Sequence, residues 1–115
     1  MAYYHKNSAG NSARIIYVNY VDGGGDNHMG QHEGVSSVTD HGTGDFEFSF
    51  SNNLDSTEYC THGSQEFNTS HPFVGGSMRT RNVSSCRMVY GTSGGANAAG
   101  FALDPTIGTF IAIGG

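Results

Sequence analysis

The sequence has no tryptophan, only two prolines and two cysteines, and just five Lys and Arg residues. That shortage of basic residues, against ten acidic ones and a formal net charge of -5, leaves no electrostatic footprint for tracking a phosphate backbone, so nucleic-acid binding is not expected. No stretch approaches the roughly 20 apolar residues of a membrane-spanning helix. Residues 1–12 also lack the apolar segment of a secretory signal. Synthesis in a cytoplasm without membrane insertion is the expectation. In such a reducing compartment Cys60 and Cys86 read first as packed free thiols, and second as a disulfide closed after release from the cell.

Large aliphatic residues are also scarce. Leu, Ile, Val and Phe make up only about 18 per cent of the chain, a level at which disorder becomes an alternative to folding. Order is still the expectation, because the charged fraction is just 13% and the apolar residues fall into short bounded runs. With 115 residues the chain suits one domain with a thin core, whose burial subunit contacts would complete.

Those runs have the period of strands. Residues 14–21, Arg-Ile-Ile-Tyr-Val-Asn-Tyr-Val, are β-branched or aromatic on both alternating faces, which predicts a strand covered on two sides. A glycine-rich loop follows at 22–27, then a short irregular strand at 28–33. Residues 35–40 and 45–50 flank His41-Gly42-Thr43-Gly44, whose glycines permit positive φ and predict a β-hairpin. In its second strand Phe46, Phe48 and Phe50 share the core face, and Asp45, Glu47 and Ser49 the solvent face. Further strands are expected near 58–63, 73–79, 82–90 and 107–113, with a turn at 52–56 and a Gly/Ala/Asn loop from 92. Residues 1–13 show no period and read as an arm ordered only by a partner. The predicted fold is all-β, an antiparallel sandwich of about seven or eight short strands over residues 14–115.

The order of residues in this stretch has a family likeness. Tyr17-Val18-Asn19-Tyr20, followed by Val35-Ser36-Ser37-Val38-Thr39-Asp40-His41-Gly42-Thr43-Gly44-Asp45, resembles a β-domain found at the C-terminal ends of bacteriophage tail fibre and tail proteins. The later part is similar in layout: Arg87 and Met88 in a strand, a Gly-rich loop, an Asp-Pro turn and a last hydrophobic strand. The resemblance implies a sandwich that displays or anchors, a trimeric assembly, and no catalytic residues to carry over.

The chemistry in the sequence is sparse. His28 and His32 have the i, i+4 spacing of two metal ligands on a helix, but Gly30 lies between them. An extended segment would set them about 13 Å apart, too far to share one ion. Asp22, Asp26 and Asn27 offer oxygens, yet their spacing matches no EF-hand or calcium β-helix repeat. Cys60 and His62 would share a strand face, which more commonly means a surface histidine beside a packed thiol than a catalytic pair. No enzyme activity and no cofactor are expected. The expected function is structural: a virion protein made in the host cytoplasm, of the tail fibre or baseplate, contributing to host attachment as a homotrimer. A capsid decoration or cement protein is the alternative, and a small metal-binding or redox protein comes last. Tyr3, Tyr4 and His5 would dock the arm onto other virion proteins. Asp22, Asp26, Asn27, Asn97 and Phe101, in the loops, would meet a host-surface glycan or receptor.

Overall fold

The computed structural model describes residues 3–6, 12–21, 28–66, 74–92, 101–102 and 107–115. Among them ten strands form two five-stranded sheets, every pairing is antiparallel, and no helix occurs. The first sheet holds β1 (Tyr3–Lys6), β2 (Ser12–Val21), β3 (His28–Glu33), β6 (Cys60–Glu66) and β10 (Ile107–Gly114). The second holds β4 (Val35–Gly42), β5 (Asp45–Phe50), β7 (Val74–Arg81), β8 (Ser85–Thr92) and β9 (Phe101–Ala102). The predicted all-β antiparallel architecture is the observed one.

In the first sheet β10 pairs along β2 from Arg14 to Val21, and β6 lies beyond β10. The other edge of β2 is shared: β1 pairs with Ser12 to Ile15, and β3 with Tyr17 to Val21. In the second sheet β5 pairs with β4 on one side and β8 on the other, and β7 covers the far edge of β8.

Strict alternation along β5 turns Phe46, Phe48 and Phe50 inward, as the period-two reading expected. Beside Phe46 and Phe48, Cys86, Met88 and Tyr90 of β8 continue the same buried face. The first sheet answers with Ile16, Val18 and Tyr20 of β2 and with Phe110 and Ala112 of β10. Aromatic rings join the two layers: Phe48 stacks on Phe110 at 4.9 Å between centroids, and Tyr20 meets Phe46 at 4.6 Å. Rings bury the most area per residue and such pairs add about 0.5–1.5 kcal/mol each, which suits a chain poor in aliphatics. Gly63 of β6 makes room in this layer, since a Cβ there would come within 2.6 Å of Met88 Cε and 3.1 Å of the Thr109 carbonyl.

The turn expected at 52–56 does more than reverse the chain. Leu54 and Tyr59 are buried, and the Tyr59 hydroxyl donates to the carbonyls of Asn82 (2.9 Å) and Ser85 (3.1 Å). Leu54 N–H donates to the Val83 carbonyl at 2.8 Å, and Arg81 Nη1 donates back to the Tyr59 carbonyl at 2.8 Å. The segment between β5 and β6 thereby plugs one end of the core.

Three expectations are corrected. The arm is not without structure of its own, because Tyr3, Tyr4 and His5 lie in β1, hydrogen-bonded to the same chain. Phe101, expected in a loop, lies in β9, paired with Thr92. Strand β2 is covered on one side only: Val18 is 2% exposed, but its neighbour Tyr17 is 42% exposed. β-branched and aromatic residues on both faces of a strand signal cover on both, and among the described residues only the inner cover is present.

Candidate functional site

The hairpin of β4 and β5 is held by specific bonds at its tip. Asp40 Oδ1 accepts from the Gly42 N–H at 2.9 Å, bending the chain into the turn. Gly42 and Gly44 follow at φ +136° and +69°, conformations that cost a residue with a Cβ about 1–2 kcal/mol. The Gly44 carbonyl then accepts from the Tyr90 N–H at 2.7 Å, which ties the tip to β8.

Asp45 closes the motif and opens the polar face of the second sheet. It faces Val89 across the strands, and its carboxylate accepts two bonds from Arg87, at 2.7 Å (Nε) and 2.8 Å (Nη2). Arg79 adds a third at 2.9 Å. One position along the same face, Glu47 accepts from the Ser85 hydroxyl at 2.6 Å and lies 2.8 Å from His41 Nε2. The Arg87 hydrogen bond holds the Asp45 carboxyl below its ordinary range, against the opposing effect of burial. The Ser85 hydroxyl does the same for Glu47, with His41 second. Sequence reasoning assigned Asp45 and Glu47 to solvent but missed this network, since its arginines lie more than 30 residues away.

The outer face of the first sheet has the opposite character. Tyr17 and Ile113 are 42% and 43% exposed, and Ile15, Ile107 and Ile111 beside them are partly exposed. The three isoleucines of β10 face outward because Phe110, on the alternate face, fills the aromatic core, and Ile15 does so because Ile16 beside it on β2 is buried. Asn19, Ser64 and Thr109 border the apolar centre, with the Ser64 and Thr109 hydroxyls 2.6 Å apart. An open groove of ≈ 240 Å³ runs over this face between Tyr17, Gln31, Thr109 and Ile111. An apolar centre inside a polar rim is the anatomy of a contact surface.

Other expected site residues are dispersed. Asp22, Asp26, Asn27 and Asn97 lie outside the described residues. Cys60 and Cys86 are both free. The bridge reading does not match this structure, because Cys86 is buried in the inner face of β8 whereas Cys60 is exposed on β6. Burial pushes the Cys86 thiol up to about 11. Cys60 and His62 do share the exposed face of β6. His28 and His32 stand on a strand, as the extended reading expected. Among the described residues no group of three His, Cys, Asp or Glu side chains is placed to hold a metal ion, and no helix is long and apolar enough to cross a membrane.

Among known proteins, no family model, no curated protein and no solved structure matches the chain. The chemistry of the described surface is that of two sheet faces, one ion-paired and one with an apolar centre.

Proposed function

We propose that the chain is a structural, non-enzymatic component of a bacteriophage particle, a tail fibre or baseplate-associated protein that contributes to host attachment and works as a homo-oligomer. The observation that carries this reading is the use made of the motif at residues 35–45. Asp40, Gly42 and Gly44 build the turn, and Asp45 braces the strands behind it through Arg87 and Arg79. That is the use a displaying or anchoring β-domain makes of such residues, and it leaves none of them poised for chemistry. The open apolar face of the first sheet supports the homo-oligomer. Loop residues Asp22, Asp26, Asn27 and Asn97 would contact the host surface in this role.

A mass-spectrometric inventory of separated heads and tails from the particles that encode this chain tests the reading. Recovery with tails is the expected result. Recovery with heads alone would support the capsid decoration alternative, and absence from both fractions would remove the virion role.

A further inference from the structure

We infer that the outer face of the first sheet binds a second copy of this chain about a two-fold axis, which runs along the strands between β2 and β10. This goes beyond the virion role and does not depend on it. It also puts a pair in place of the trimer that the resemblance implies.

The register supplies the argument. One row across the sheet reads Glu33, Tyr17, Ile111, His62. A half-turn about the stated axis reverses that row, so Glu33 of one copy stands over the partner's His62, and Tyr17 over the partner's Ile111. The next row holds Ile15 and Ile113, and reversal lays each on the other. On the other side of the Tyr17 row stand Asn19 and Thr109, and reversal sets polar on polar. Acid meets base at both ends, apolar meets apolar in the middle, and a patch complementary to itself is what a two-fold interface requires. A three-fold axis would instead join two different patches, and the outer face of the second sheet is polar, carrying Asp45, Glu47, Arg79 and Arg87.

Two further observations agree. The two-sided apolar character of β2 predicts cover on the face that one chain leaves open. Four strands spaced about 4.8 Å apart, and six steps along β10, make a footprint of roughly 20 by 20 Å, about 400 Å² per copy, which is below the standard interface size and in the range of weak, transient contacts. Association in the micromolar range, not a permanent dimer, is expected.

Sedimentation equilibrium of the intact chain across micromolar concentrations is the test. The expected result is a reversible shift from one to two chains of 12.1 kDa. A strict monomer, or a trimer, overturns the proposal. Ile111→Lys should weaken pairing by about a hundredfold, since it sets a charge at the apolar centre. As the side chain is partly exposed, thermal unfolding of the variant should stay cooperative. Because that variant reports only on the face, a charge exchange reports on the axis. Glu33→Lys and His62→Glu should each weaken pairing roughly five- to tenfold, and the two together should restore it. Failure of the double variant to restore pairing would overturn the stated axis.

Discussion

The two outer faces of this sandwich are built from the same kind of strand and end in opposite states. On the second sheet, Asp45 and Glu47 collect bonds from Arg87, Arg79, Ser85 and His41. On the first, Tyr17, Ile111 and Ile113 stand partly or largely exposed, and the polar groups nearest them are at the border. The first arrangement satisfies a surface internally, whereas the second leaves apolar area in water at a cost of about 25 cal/mol per Å². One face thus joins its strands through ion pairs and hydrogen bonds, and the other keeps an apolar centre within a polar border.

The sharpest way to break this comparison is to remove the centre of the paired face. Asp45→Ala should destabilise the chain by about 1–3 kcal/mol, since it removes the acceptor of Arg87, while screening limits the share from exposed Arg79. Tyr17→Ser on the open face should change the stability of the single chain by less than about 1 kcal/mol, as surface changes usually do. Urea unfolding at low protein concentration compares the two. Equal losses would mean that the faces do not differ in the way described.

Acid offers a second test of the paired face. Asp45 and Glu47 both have lowered pKa values when folded, so they bind protons more weakly folded than unfolded. Their contribution is complete above the ordinary carboxylate range and is lost as pH falls through the lowered folded values. Thermal midpoints should be level near neutrality and fall as the pH drops below about 4. Asp45→Asn should flatten that fall, and an unchanged slope would count against the network.

Gly63→Ala measures how tightly the layer behind the open face is filled. The added methyl must displace Met88 Cε, a flexible end, but also meets the Thr109 carbonyl. A loss of about 1–3 kcal/mol is expected by denaturation, and a neutral result would show that β6 can shift outward freely.

The smallest effect concerns the thiols. With Cys86 buried and its thiol raised, native alkylation should modify Cys60 alone, and unfolding should expose the second site. Intact mass reads this directly: two rapid modifications in the folded chain would contradict the packing of β8.

Much of the fold was legible beforehand, and for a local reason. The β4–β5 hairpin depends on Gly42, Gly44 and the alternation of Phe46, Phe48 and Phe50, all within ten residues. Strand ends were less legible: β6 begins at Cys60 and β8 at Ser85, each two or three residues later than expected. The Tyr59 hydroxyl, reaching the carbonyls of Asn82 and Ser85 more than 20 residues away, and the local turn bond from Asn82 N–H to the Ser85 carbonyl set those ends, and hydrophobic period registers neither. The arm was misread because pairing of Tyr3 to Lys6 with Ser12 to Ile15 leaves no trace in hydrophobic period.

By itself, then, the sequence determined the strand class, the principal hairpin and its inward aromatic stripe, because period and turn chemistry act between neighbours in the chain. Only the tertiary structure decided which face of β10 turns inward, where Phe110 displaces three isoleucines to the surface by stacking on Phe48. It alone brought Asp45 to Arg87 across 42 residues, and set Glu33 and His62 at opposite ends of one row. Such placements depend on which strands pair and in what register, and alternation within a single strand carries no information about its neighbours.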